Sequence, residues 1–123
     1  MKLENTIWQC TDVKQTELCY KTGKCSTSYW DIKIHIYKNI NSTYIIKLIF
    51  NNNIEPTYSG KEFGLMIYDK TTNKVKITDS NGTYDGEIKD NSLKLTHMCY
   101  EHLKNQYSTI VKGFSATFTK NMQ

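Results

Sequence analysis

The chain of 123 residues contains no arginine, so all 16 of its basic residues are lysines. Sequence-specific DNA recognition and buried phosphate sites rely on the bidentate guanidinium of arginine. The lysines also occur singly, among threonines, asparagines and acidic residues, and form no run. The net charge of +4 therefore indicates a solvated surface, and we expect no nucleic-acid partner.

Long apolar runs are also absent, since no segment approaches the roughly 18 residues that a membrane-spanning helix needs. With a mean hydropathy of −0.59, the sequence favours a soluble globular protein without a membrane partner. The first residues, MKLENTIW, contain no apolar stretch of the secretory type, which favours an intracellular location over secretion. The length predicts one domain that covers residues 1–123.

Alanine and proline occur once each, as Ala116 and Pro56, whereas β-branched and aromatic residues are abundant. This composition favours strands over helices. Apolar and polar residues alternate with a period of two through most of the chain, as expected for strands with one buried face. Residues 12–27 break the pattern and are predicted to form a long loop or a short helix. The predicted strands cover 5–11, 28–37, 43–50, 63–69, 74–78, two segments within 82–99, and 108–120.

Short turn signals separate these strands, and the strongest is Asn81-Gly82, because both residues tolerate a positive φ. A second turn is predicted at Asp90-Asn91. Eight antiparallel strands in sequential order close most economically into an up-and-down barrel, which leaves no exposed sheet edge. We therefore predict an all-β, eight-stranded antiparallel meander barrel, with a β-sandwich as the alternative.

The layout resembles the calycin group, which comprises lipocalins, fatty-acid-binding proteins and avidins. The stretch NTIWQC, with Trp8, occupies the place of the lipocalin Gly-x-Trp signature, and Thr6 stands where that signature has glycine. The stretch ITDS at 77–80 resembles part of the Thr-Asp-Tyr motif, with Ser80 in place of the tyrosine. The resemblance implies a β-barrel fold.

Strand parity predicts which side chains face the barrel interior. A barrel of eight strands holds either packed side chains or one small ligand. Aromatic side chains with a few convergent polar groups are typical of a ligand pocket, although they also suit a filled core. We expect a small apolar or aromatic ligand to bind without a cofactor, and expect His97 to orient it or a core hydrogen-bond network. The predicted ligand-binding residues are Trp30, Tyr44, Phe63, Tyr84, His97, Lys112 and Phe114.

Four cysteines leave the redox state open, because Cys10, Cys19, Cys25 and Cys99 form no C-x-x-C motif. Cys19 could pair with Cys25, and Cys10 with Cys99, in an oxidising compartment. The other possibility is four reduced thiols, two of them packed as small apolar groups. A zinc site made by His97, Cys99, His102 and Cys10, or a haem held by His97, is a second alternative function. The missing spacing motif argues against a metal.

The sequence also lacks the motifs of known catalytic sites, such as a glycine-rich phosphate loop or a G-x-S-x-G turn. His97 and Cys99 are two residues apart on one strand, and nothing marks a third group to orient them. We therefore expect a non-enzymatic protein. The main alternative to ligand binding is a viral or phage-type factor that binds a host protein. That factor would use exposed tyrosines, of which Tyr29, Tyr37, Tyr68 and Tyr100 have solvent-side parity.

Overall fold

The computed structural model describes residues 2–19, 23–54, 56–79, 82–102 and 109–121, without the side chains of 18, 19, 58, 98–102 and 109–112. Eight antiparallel strands pair in sequential order, and the last strand pairs with the first to close a barrel. The predicted up-and-down barrel is therefore confirmed, and the sandwich is excluded. This layout is consistent with that of the calycin group. The strands are β1 (Thr6–Cys19), β2 (Lys24–Ile40), β3 (Thr43–Asn52), β4 (Gly60–Asp69), β5 (Lys74–Asp79), β6 (Gly82–Lys89), β7 (Ser92–His102) and β8 (Thr109–Lys120).

The loop or helix predicted for residues 12–27 is wrong, because most of this segment belongs to a long hairpin. The pairing of β1 with β2 continues from Val13 to Cys19 after a register shift that follows Cys10. Asp12 has a φ of 54° at this irregularity, the left-handed conformation that aspartate tolerates better than most residues.

The connections follow the turn signals of the sequence. Asn41 and Ser42, between β2 and β3, both have positive φ, as a type I′ hairpin turn requires. Asp79 is the Cα partner of Gly82, at the end where β5 and β6 are connected, and Asn81 of the predicted Asn-Gly turn lies outside the described residues. Pro56 begins a 3₁₀ helix at Pro56–Tyr58, between β3 and β4. Within the described ranges, no helix has the length and apolar character of a transmembrane helix.

The registers fix the geometry of the barrel. Moving from strand to strand through paired Cα atoms, a path that starts at Lys38 of β2 comes back to β2 at Thr27, eleven residues away. One of these eleven residues is the extra residue of the irregularity between Ile36 and Lys38. A shift of about ten residues over eight strands corresponds to a strand tilt of roughly 40°. The path runs through Lys38, Ile45, Leu65, Thr78, Thr83, Met98, Gly113, Thr16 and Thr27.

Side chains fill the lower end of the barrel, which we define as the end where the even-numbered strands finish. Trp8 and Phe118 are completely buried there, and Leu3 packs into the same core from the N-terminal segment. Burying a large aliphatic side chain contributes about 1.5–3 kcal/mol, so this end is the stable base of the fold. The other fully buried side chains in the core include Ile32, Ile34, Ile36, Ile46, Leu48, Met66, Ile77, Ile88, Leu93 and Leu95.

Strand β4 presents the opposite face from the one that its sequence predicts. Phe63 was expected inside, but its side chain is 63% exposed, whereas Met66 is completely buried. Both parities of β4 carry apolar residues, so alternation alone could not choose between them. The inward parity also contains Gly64, where a Cβ atom would lie 2.7 Å from the carbonyl oxygen of Thr78. Because β4 lies so close to β5, the face of β4 that carries Gly64 is the one that points inward.

Two long hairpins extend beyond the upper end, where the odd-numbered strands finish. Residues 24–29 of β2 pair with β1 but have no partner in β3, whose pairing with β2 begins at Trp30 and Asn52. The last residues of β1, from Thr16 to Cys19, pair with Gly113 to Ile110 of β8. On one side of the upper end, β1, β2, β7 and β8 therefore extend beyond the other four strands.

Candidate ligand-binding site

Three aromatic rings lie together inside the barrel near its upper end. Tyr84, His97 and Phe114 are paired in register across β6, β7 and β8, and all three point inward. The rings of Tyr84 and His97 stack at 4.1 Å with an angle of 19° between their planes. The ring of Phe114 lies 5.5 Å from His97 and 6.0 Å from Tyr84. The sequence brings these rings together because all three have inward parity on adjacent strands.

His97 is the central polar group of this cluster and is only 4% exposed. Its Nδ1 lies 3.3 Å from the backbone carbonyl oxygen of Thr83. Because a carbonyl oxygen can only accept, Nδ1 must carry the proton and donate it. Burial lowers the pKa of His97, although the Thr83 carbonyl and Asp79 oppose this effect. The ring is therefore neutral near pH 7, and Nε2 is an acceptor.

No described residue donates a hydrogen bond to Nε2 of His97. A buried polar atom without a partner costs about 1–3 kcal/mol, and such atoms are uncommon in folded proteins. The arrangement is a buried hydrogen-bond acceptor among aromatic rings. It suits a small molecule that supplies both an aromatic ring and a donor.

Tyr84 connects the cluster to the hairpin at the upper end. Its hydroxyl donates a hydrogen bond of 2.9 Å to Oδ2 of Asp79, the last residue of β5. This contact fixes the ring of Tyr84 in place, and that ring then holds the imidazole of His97 by stacking. The carboxylate of Asp79 therefore lies at the hydroxyl end of the Tyr84 ring, close enough to act on the pKa of His97.

Trp30 and Phe50 lie on another part of the upper end. Their ring centroids are 6.2 Å apart in an edge-to-face arrangement. The indole Nε1 of Trp30 donates to Oε1 of Gln15 at 3.1 Å. Both aromatic side chains are only half-buried, in contrast to the completely buried residues at the lower end. Part of the apolar surface at this end is therefore accessible to solvent.

The other predicted site residues do not join this cluster. Tyr44 is buried, but it lies near the lower end, where β3 begins and where its Cα partners are Asn39 and Met66. Burial, together with Glu4 and Tyr68, raises the pKa of Tyr44. Phe63 lies on the outer surface, for the reason given above. The side chain of Lys112 lies outside the described residues.

Only some of the tyrosines expected on the surface are exposed. Tyr29 is 39% exposed, and Tyr37 is half-buried beside His35, with ring centroids 3.8 Å apart. The solvent-side position predicted for Tyr68 is wrong, because this residue packs against the core and donates to Oδ1 of Asn73. Its inward parity follows from the inverted face of β4. Tyr100 lies outside the described side chains.

Sequence reasoning missed three residues that shape the site. Gln15 fell in the segment predicted as a loop, although Val13 and Gln15 continue the inward parity of β1. Phe50 shares its parity with Leu48, so alternation could have included it. Asp79 belongs to the stretch ITDS, but that motif does not predict its contact with the hydroxyl of Tyr84, which depends on the distance between the two side chains.

The metal and disulfide alternatives concern several side chains that the structure does not describe, among them Cys19, Cys99 and His102. Among the described residues, no group of three or more His, Cys, Asp or Glu side chains could hold a metal ion. Cys10 and Cys25 are free thiols, half-buried and exposed respectively. In the β1–β2 pairing the Cα partner of Cys25 is Leu18.

Comparison of the chain with protein-family models, with curated proteins and with solved structures finds no match.

Proposed function

We propose that the protein is a non-enzymatic, calycin-like binding protein that takes a small aromatic molecule at the upper end of its barrel. Barrels of this kind are commonly non-enzymatic, and those of eight strands have room for one small ligand. The residues that contact the ligand are Trp30, Phe50, Tyr84, His97 and Phe114.

The observation that carries the proposal is the buried, neutral His97 with Nδ1 engaged and Nε2 without a described partner. An O–H or N–H group on the ligand offsets the cost of leaving this acceptor unpaired. The surrounding rings favour a flat, aromatic body, because offset or edge-to-face contacts add about 0.5–1.5 kcal/mol beyond the buried area. The side chains at the lower end restrict the ligand to a small one.

A pair of probes of nearly equal size tests this chemistry. Phenol has the donor that Nε2 requires, whereas toluene replaces the hydroxyl with a methyl group. We expect NMR titration to place phenol beside Tyr84, His97 and Phe114, with phenol bound roughly 2- to 13-fold tighter than toluene. This range corresponds to a net hydrogen bond of about 0.5–1.5 kcal/mol.

Matched histidine variants locate the effect. His97→Phe keeps a ring in the stack but removes the acceptor, so the preference for phenol over toluene should disappear. His35→Phe changes a histidine on the outer surface, beside Tyr37, and should leave the preference intact. The proposal is wrong if phenol does not bind, if it perturbs residues away from the cluster, or if His97→Phe retains the preference.

A further inference from the structure

A row of large apolar side chains lies on the outside of β4. Phe63, Leu65 and Ile67 are 63%, 52% and 56% exposed. With a full area of about 200 Å² for each side chain, these fractions amount to roughly 340 Å² of accessible surface. Contiguous apolar patches of about 300–600 Å² are the largest on typical monomers and often have a function. The row is therefore a candidate interaction surface.

Strand β3 extends the row sideways. Ile45 is the Cα partner of Leu65, and Ile49 is the partner of Lys61, so both isoleucines share the outer face with β4. Both are half-buried and leave part of their surface accessible. The apolar surface is therefore two strands wide and does not result from one misplaced side chain of β4.

Lysines border this apolar surface on both sides. Lys33 and Lys61 are the two Cα partners of Ile49, and Lys76 is a partner of Ile67. The Nζ atom of Lys47 lies 5.8 Å from the ring centroid of Phe63, a distance at which a cation–π interaction is favourable. We call this surface the apolar–basic face; it comprises Ile45, Ile49, Phe63, Leu65 and Ile67 with Lys33, Lys47, Lys61 and Lys76.

Carboxylates are absent from the described outward positions of β2, β3 and β4 in the four registered rows that hold these residues. On the β5 side, Asp69, Asp85 and Glu87 line one groove with Ile67 and Lys76, so the charges there are mixed. The positive charge of the face is therefore concentrated toward β2 and β3, where Lys33, Lys47 and Lys61 have no acidic neighbour in their own rows.

We propose that the apolar–basic face docks a partner protein that presents an apolar ridge bordered by carboxylates. Charge complementarity identifies this occupant, because carboxylates beside the ridge meet Lys33, Lys47 and Lys61 on the β2–β3 side of the apolar row. A second copy of the chain fits poorly, since two such faces in contact set lysines against lysines. The site is independent of the ligand site at the upper end.

The test uses a defined probe. A labelled helical peptide of 18 residues carries leucines at helical spacing, with glutamates on both flanks, and a second peptide has lysines in place of the glutamates. Fluorescence anisotropy should show at least about tenfold tighter binding of the glutamate peptide at low ionic strength. The difference should shrink in high salt, because exposed charges are screened.

Matched variants distinguish this face from other exposed apolar residues. Leu65→Ser should weaken binding of the glutamate peptide roughly fivefold to tenfold, because about half of the leucine side chain is available for burial. Ile54→Ser changes an isoleucine that is 67% exposed and lies outside the face, and should have no effect. Lys61→Glu should weaken binding, whereas Lys14→Glu on β1 should weaken it less.

Three outcomes would overturn the proposal. Equal binding of the two peptides would contradict the charge argument, and equal effects of Leu65→Ser and Ile54→Ser would contradict the location. A concentration-dependent dimer that Leu65→Ser abolishes, seen by analytical ultracentrifugation, would assign the face to a second copy. Leu65-dependent binding to vesicles of phosphatidylcholine and phosphatidylserine, without binding of the glutamate peptide, would assign it to a membrane.

Discussion

Gly86→Ala should destabilise the barrel strongly, because the backbone leaves no room for a side chain at this position. Gly86 lies on β6 between Val75 of β5 and Leu95 of β7. An added Cβ would overlap the carbonyl oxygen of Lys94 and lie 2.7 Å from Cδ2 of Leu95. The first of these atoms belongs to the backbone, so the two strands must separate. Overpacking costs about 1–3 kcal/mol, and this contact should reach or exceed the upper value.

Two other glycines provide a graded control for this calculation. At Gly64 the nearest atom would be a backbone oxygen at 2.7 Å, so alanine should cost about 1–3 kcal/mol. At Gly60 a Cβ would meet nothing within 4 Å, and alanine should be neutral or stabilise by up to about 1 kcal/mol through the unfolded state. Urea unfolding followed by circular dichroism measures all three variants. Equal stabilities, or a Gly60 variant less stable than the Gly86 variant, would refute the close strand approach.

The remaining predictions concern titration, hydrogen bonding and thiol reactivity. Because folding lowers the pKa of His97, the unfolded state binds the proton more readily. The contribution of His97 to the free energy of unfolding should therefore be fully present above the unfolded pKa of about 6.5. Below that pH the free energy of unfolding should fall by at most about 1.4 kcal/mol per pH unit. Unfolding measured from pH 7.5 to 5.5 should show this dependence in the natural chain and not in His97→Gln. Tyr84→Phe removes the hydrogen bond to Asp79 and should cost about 1–3 kcal/mol in urea unfolding; no loss would mean that this contact is unimportant. Iodoacetamide should modify the exposed Cys25 much faster than Cys10, which is half-buried and has a pKa raised by burial and by nearby carboxylates, as peptide mass mapping would show. Equal rates would contradict this difference in environment.

The fold could be predicted from the sequence because most strands of the barrel have one solvent-exposed face and one buried face. Ile32, Ile34 and Ile36 are buried on one face of β2, as their alternation indicates. The signal fails where this condition fails. The hairpin of β1 and β2 above the barrel end has no core to cover, so residues 24–27 are all exposed and show no alternation. Strand β4 fails for the opposite reason, because both of its faces are apolar.

The candidate site was predictable only in part, because parity determines the face of a strand but not the height along the barrel. Tyr84, His97 and Phe114 have both the right parity and neighbouring registers, and they meet. Tyr44 has the right parity, yet it lies near the other end. The role of Asp79 depends on one side-chain distance across the hairpin, which no sequence pattern encodes.

The ¹⁵N NMR spectrum of the His97 ring during a phenol titration tests the proposed binding site directly. We expect a neutral ring at pH 7 with a protonated Nδ1, and an Nε2 resonance typical of an unprotonated nitrogen. Saturating phenol should shift the Nε2 resonance in the direction of an accepted hydrogen bond, while Nδ1 remains protonated. An Nε2-protonated ring, or an Nε2 resonance that phenol leaves unchanged, would contradict the proposed binding site.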